Sequence, residues 1–180
     1  MIAESLAGRR IAITGSTGFV GTALVERLLR CAPGCELYLI VRGGRRGAAS
    51  RIKREILNND AFDRLREELH GTSEDFDAMA KRRVHAIDGD ISVDGLGLNE
   101  AGRAALSLCD IVIHSAAAVA FDSPLDSAVE VNLLGPVRLA AVLNEIHAAS
   151  TSKPHLVAVS TCYVAGNRRG HAPELLVSQG

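Results

Sequence analysis

Residues 14–21 read Thr14-Gly15-Ser16-Thr17-Gly18-Phe19-Val20-Gly21, with glycines in G-x-x-G-x-x-G order. The flanks make this run informative. Before it, Arg10-Ile11-Ala12-Ile13-Thr14 is a short apolar segment with the character of a buried strand. After it, Val20, Leu24, Leu28 and Leu29 alternate with Glu26, Arg27 and Arg30 at helical spacing, until Pro33-Gly34 stops the helix. A strand, a glycine turn and a helix in that order bring phosphates to the free N–H groups and positive dipole end of the helix. In such a turn Gly15 permits the sharp exit from the strand. Gly18 lets the backbone approach a pyrophosphate with no Cβ in the way, and Gly21 allows close packing of the helix on the sheet. The competing reading is a strand–helix turn that merely needs glycine; three glycines at this spacing in this place favour the pyrophosphate.

Outward from the loop, apolar runs and amphipathic stretches alternate. Glu36 to Val41 is a second strand, closed by Arg42-Gly43-Gly44. Residues 48–82 are charged and amphipathic, with Asn58-Asn59-Asp60 as a break, and are expected to be helical. Arg83 to Ile87, Asp110 to His114 and His155 to Ser160 read as three further strands. Asn99 is placed to cap a helix before the fourth strand. A long helix is expected from about Ser127 to Ala149, with Val129, Leu133, Val137, Ala140 and Leu143 near a 3.6-residue period. Nearly unbroken apolar strands separated by amphipathic helices imply an α/β fold. The expected architecture is a doubly wound parallel sheet, Rossmann-like, with five strands in the order 3-2-1-4-5. No linker divides the chain, so residues 1–180 are read as one NAD(P)-binding domain, with 168–180 irregular.

Composition narrows the function classes. The 180 residues carry 20 Lys+Arg and 21 Asp+Glu, a net charge of −1, so nothing electrostatic recommends a nucleic-acid partner. With 3% aromatic residues and no Trp, base-stacking platforms are unexpected and the core must be aliphatic. No apolar run reaches the roughly 18–20 residues of an integral membrane segment, and residues 1–10 lack the pattern of a signal peptide. Cys31, Cys35, Cys109 and Cys162 show no metal-site spacing and read as reduced thiols of a cytoplasmic protein.

The end of the second strand bears on the cofactor. An acid there would bind the ribose 2′-hydroxyl of NAD; this chain has Arg42, with Arg45, Arg46 and Arg51 nearby. A guanidinium at that place pairs with a 2′-phosphate and stacks on adenine, so NADPH is expected in preference to NADH. At the end of the third strand, Asp90 either accepts from the adenine amino group or serves as a turn or cap aspartate. His85 and Asp88 point to opposite faces of a strand, so no metal site is expected there.

These segments resemble the extended short-chain dehydrogenases/reductases. Within them the chain is most similar to the fatty acyl-CoA reductase, or "male sterility" NAD-binding, group, which includes thioester reductase domains. The resemblance runs from about residue 8 to 167. It rests on ITGSTGFVGTALVERLLR, LYLIVRGG, IDGDIS followed by LGL, DIVIHSAAAVAFDSPLDSAVEVNLLGP, and LVAVSTCYVAG. It implies that Thr14, Gly15, Ser16, Thr17, Gly18, Phe19, Val20 and Gly21 hold the pyrophosphate, and that Arg42, with Arg51, holds the 2′-phosphate. Asp90 and Ile91 would flank adenine, and Ala116 and Ala117 would lie beside the nicotinamide ribose. Asn132 belongs to an N-x-x-G element ending at Gly135. Thr161, with Ser160 as runner-up, would hydrogen-bond the carbonyl of a fatty acyl thioester substrate.

The resemblance also implies a Tyr-x-x-x-Lys pair that donates a proton. Tyr38 is followed four places on by Arg42, and Tyr163 by Asn167; lysines occur only at Lys53, Lys81 and Lys153. The pair is therefore missing from these residues, and the C-terminal part of the family fold is expected to be missing with it. Proton transfer by a positioned acid is typically worth about 10²–10⁴ in rate, so little turnover is expected of this chain alone. The other readings are a non-catalytic NADP-binding module, or a different extended short-chain enzyme acting on a nucleotide sugar or steroid. A fifth strand left at the sheet edge is expected to invite self-association.

Overall fold

The computed structural model describes residues 2–120, 122–148, 153–161, 165–173 and 175. In chain order the elements are α1 (Ile2–Ser5), β1 (Arg10–Thr14), α2 (Phe19–Cys31), β2 (Glu36–Val41), α3 (Gly47–Ile52), α4 (Asp63–Leu69), α5 (Phe76–Arg83), β3 (Val84–Asp88), α6 (Glu100–Ser107), β4 (Ile111–His114), α7 (Leu125–Ala128), α8 (Gly135–Ile146) and β5 (His155–Ala158). The strands form one parallel sheet in the order β3-β2-β1-β4-β5, as the alternation of patterns predicts. Its register aligns Thr14 with Ile40 on one side and His114 on the other.

Successive strand residues point to opposite faces, and both faces are covered. Ile11, Ile13, Leu37 and Leu39 pack with Val25 and Leu29 of α2, Ile52 of α3, and Phe62. Ala12, Tyr38, Ile40 and Ile87 pack on the other face with Leu106 of α6 and Leu139 and Val142 of α8. The outer strand differs. All four residues of β5 are exposed, and the strand pairs with β4 alone among the described residues.

Several local features depart from a simple helical period. The helical stretch 48–82 breaks at Asn58-Asn59 as expected; what differs is that α3 widens into a π-type turn over Lys53–Leu57 and that a second break, 70–75, separates α4 from α5. The long helix starts two residues before Ser127. It widens over Val129–Leu134 and regains α geometry from Gly135, where Pro136 sits in the first turn and needs no N–H partner. Asn99 does cap α6, its Oδ1 accepting from Gly102 N at 2.8 Å.

Arg83, expected in a strand, ends α5 and is almost wholly buried. Its guanidinium donates to Leu29 O and Ala32 O, both at 2.7 Å, and to Cys35 O at 2.9 Å. These carbonyls lie at and just beyond the C-terminus of α2, which lacks intrahelical donors. A cation there also meets the negative end of the helix that begins at the glycine loop. Cys31, Cys35 and Cys109 are free thiols, and burial first, then Asp110, pushes the Cys109 thiol up to about 12. Cys162 lies outside the described residues.

Candidate functional site

The sheet reverses its winding at β1, which has β2 on one side and β4 on the other. Ligands of doubly wound folds bind in the crevice at the carboxyl ends of such strands. A cleft lies there, bounded by Thr14, Gly15, Thr17 and Gly18 of the glycine loop. Arg42 and Arg51 stand beyond β2, Asp90, Ile91 and Ser92 beyond β3, and Ser115, Ala116 and Ala117 beyond β4.

The glycine loop can close only because two positions lack side chains. Gly15 has φ +74°, and a Cβ there would lie 2.5 Å from Ala116 N. The loop after β1 thus presses directly on the loop after β4. A Cβ on Gly21 would collide with Gly15 O and lie 2.7 Å from Ser16 Cα. Gly21 therefore serves closure of the loop on the first turn of α2, a more local role than packing on the sheet. No side chain caps the N-terminus of α2 and its first turn holds no acid, so its leading N–H groups and dipole are open to an anion.

Beneath the loops, Thr14 Oγ1 meets His114 Nδ1 at 2.7 Å, and Ala116 N lies 3.4 Å from the same hydroxyl. Burial pushes the His114 imidazole below the usual histidine value, so it is neutral near pH 7. Asn132 binds Ala118 twice, accepting from Ala118 N at 2.8 Å and donating to Ala118 O at 2.9 Å. Its amide holds the loop after β4 in place and does not line the cleft. Neighbouring Val131 does line it.

At the other end of the cleft, Arg42 is largely exposed and its Nη1 reaches Asp90 Oδ2 at 3.8 Å. Asp90 also accepts from Ser92 N at 2.9 Å and Ser92 Oγ at 2.7 Å, the turn arrangement that was one of its two expected roles. Partial burial opposes ionisation of Asp90, but the Ser92 hydrogen bonds and Arg42 outweigh it and hold the carboxyl below its usual range. Asp88 Oδ1 accepts from Gly43 N at 2.8 Å and fixes the turn that presents Arg42. Leu96, fully buried at φ +57° between Gly95 and Gly97, accepts from Asp90 N at 2.8 Å and shapes the loop carrying Asp90.

The remaining expected residues fall outside the cleft lining. Ser16 is fully buried below the loop, and Phe19 and Val20 are exposed on the first turn of α2. Ser160 and Thr161 are exposed, beyond the end of β5. Tyr163 lies outside the described residues. His85 Nε2 meets Glu36 Oε2 at 2.8 Å, across the β2–β3 pair. Asp88 and Ser92 lie in the IDGDIS segment and Val131 in the segment ending NLLGP, but none of them was expected in a binding role. Asp88 alone was readable, as a short polar residue at a strand end beside a glycine.

Fold and cleft define an NAD(P)-binding domain of the doubly wound class. Residues 13–180 match the model of an NAD-binding family described as "Male sterility protein", and the chain belongs to that family. It is 31% identical over 182 aligned residues to "Fatty acyl-CoA reductase 2, chloroplastic" of Arabidopsis thaliana, covering 99% of this chain and 28% of that protein. It is 34% identical to "Probable fatty acyl-CoA reductase 5" of the same plant, covering 95% of this chain and 34% of the relative. Among solved structures, the terminal R domain from the myxalamid PKS-NRPS biosynthetic pathway superimposes with a TM-score of 0.59 at 30% identity, over 86% of this chain and 35% of that one. The chain thus spans about a third of the length of the curated relatives it matches. Among the described residues, no helix is long and apolar enough to cross a membrane.

Proposed function

We propose that residues 1–180 form one domain that binds NADPH, as the cofactor-binding part of a reductase of fatty acyl thioesters carried on CoA or an acyl carrier. The observation that carries this reading is the pairing of an uncapped, glycine-closed helix terminus with Arg42 and Arg51 at the far end of the same cleft. The cleft fits a dinucleotide. Its glycines leave no Cβ where a pyrophosphate would approach, Ala116 and Ala117 present only methyl groups, and the strand-two end offers guanidinium groups where an NAD site would place an acid.

In this reading the first-turn N–H groups of α2 hold the pyrophosphate. Arg42 and Arg51 hold the 2′-phosphate, and Asp90 and Ile91 border adenine. Ala116 and Ala117 admit the nicotinamide ribose, with Asn132 keeping their loop in position. When bound, the dinucleotide would supply a hydride for the thioester carbonyl, with loss of the carrier thiol to give an aldehyde and, after a second round, an alcohol. Thr161 donates a hydrogen bond to the carbonyl oxygen as charge develops there. No Tyr-x-x-x-Lys occurs within these 180 residues, so the reading assigns this chain binding and orientation, with little turnover of its own. The same observation favours a second reading, a non-catalytic NADP-binding module. Self-association through the exposed β5 and a cytoplasmic setting complete the proposal.

The test pairs calorimetric titration of NADPH with an assay of NADPH oxidation on a long-chain acyl-CoA. Tight NADPH binding with negligible turnover is the expected result. Appreciable turnover overturns the assignment of binding without catalysis, and failure to bind NADPH overturns the reading as a whole.

A further inference from the structure

The arginines around the end of β2 are not equivalent. Arg51 lines the cleft, and two of its donors are already engaged: Nε with Glu55 Oε2 at 2.7 Å, and Nη1 with Arg42 O at 3.1 Å. The other oxygen of Glu55 takes Arg54 Nη2 at 2.7 Å. One half-buried carboxylate therefore holds two guanidinium groups, and Arg51 in turn braces the backbone that presents Arg42. Adjacent residues such as Arg54 and Glu55 do not face each other on a regular α-helix. Here the helix is widened into a π-type turn over Lys53–Leu57, at this very residue. Such turns are rare and concentrate at functional sites.

We propose that Glu55 is a positioning residue for NADP selectivity, fixing Arg51 so that its Nη2, which makes no hydrogen bond among the described residues, and the Arg42 backbone are set before a 2′-phosphate arrives. The inference rests on the NADP reading above and deepens it. The Arg51 and Arg54 hydrogen bonds hold the Glu55 carboxyl below its usual range, so it is ionised at neutral pH. Two effects of the carboxylate compete. Its charge repels a phosphate, but across several ångströms of solvent-exposed edge this is worth about two- to threefold in affinity. Freezing an arginine costs rotamer entropy worth about tenfold or more, and Glu55 removes that cost from the binding step. Positioning therefore outweighs repulsion.

The test measures dissociation constants of NADPH and NADH for the wild-type chain, Glu55→Ala and Glu55→Gln, with far-ultraviolet circular dichroism to verify folding. Wild type should favour NADPH. Glu55→Ala loses the positioning and the repulsion together, so it should lower the NADPH-to-NADH preference about three- to fivefold while leaving NADH affinity unchanged. Glu55→Gln keeps one acceptor for Arg51 Nε without the charge, and should fall between the two. An unchanged or enlarged preference in both variants, on a wild type that prefers NADPH, overturns the positioning role and leaves the NADP reading standing. A wild type that binds both cofactors equally, or neither, overturns the NADP reading and this inference with it.

Discussion

Thr14 at the end of β1 and His114 at the end of β4 are joined across the sheet by a buried 2.7 Å hydrogen bond between Oγ1 and Nδ1. The bond lies directly under the two loops that bound the cleft. Ala116 N, 3.4 Å away, donates to the same hydroxyl, which keeps a proton and a second lone pair for the imidazole. Removing the hydroxyl in Thr14→Val leaves a buried imidazole nitrogen without a partner, an expense of about 1–3 kcal/mol in stability. Urea denaturation measures it directly, and a change below about 0.5 kcal/mol contradicts the role assigned to the pair.

The same pair predicts an acid sensitivity. Burial holds the folded-state pKa of His114 below its unfolded value, so the unfolded chain binds the proton first as pH falls. The contribution of His114 is present in full above about pH 6.5 and is lost progressively below it. His114→Asn retains an acceptor near the Nδ1 position but does not titrate. The difference in melting temperature between wild type and this variant should therefore shift in favour of the variant between pH 7 and pH 5. A difference independent of pH over that range rules out the histidine as the cause.

Glycine substitutions in the loop should act sharply and differently from one another. Gly21→Ala drives a methyl group into Gly15 O, and Gly15→Ala adds strain at φ +74° to a collision with Ala116 N. Each is expected to destabilise by at least about 2 kcal/mol and to abolish dinucleotide binding. Gly44, with φ +57° but open space around its Cβ position, serves as the control. Gly44→Ala should cost about 1 kcal/mol from backbone strain alone. Equal effects at Gly21 and Gly44 would contradict the packing account.

Arg83→Met replaces a buried cation by a side chain of similar length that cannot donate. The carbonyls of Leu29 and Cys35 then lose the guanidinium and Ala32 O keeps only Cys35 N, at an expected total of about 2–4 kcal/mol. A denaturation midpoint equal to that of the wild type would show that water replaces the guanidinium at no cost.

How much of this was legible in the sequence depends on the range of the interaction. The five strands are local, largely apolar runs, and their order follows from alternation and crossover handedness, so these were readable. The glycine loop was readable because its chemistry is packed into eight consecutive residues. Asn132 was flagged, but its engagement with Ala118 was not, because the two meet only when a widened helix folds back over the loop after β4. Arg83 looked like the first residue of a strand; nothing local announces that three carbonyls some fifty residues earlier await it. The π-type turns at Lys53–Leu57 and Val129–Leu134 kept a helical pattern in the sequence and were invisible to a 3.6-residue period.

The charge at the end of β2 makes the sharpest functional prediction. Arg42→Asp should weaken NADPH by about 1.5–3 kcal/mol, the worth of a charge-assisted hydrogen bond, and change NADH far less. Equal losses for both cofactors would show that Arg42 does not meet the 2′-phosphate.

The central claim is that the cleft at the β1–β4 switch point takes NADP(H), and the most direct test is calorimetric titration of the wild-type chain with NADPH and, separately, NADH. The account predicts saturable one-site binding of NADPH, at least about tenfold tighter than NADH, the difference expected from a charge-assisted contact to the 2′-phosphate. Equal affinities, or no heat with either dinucleotide, would contradict it.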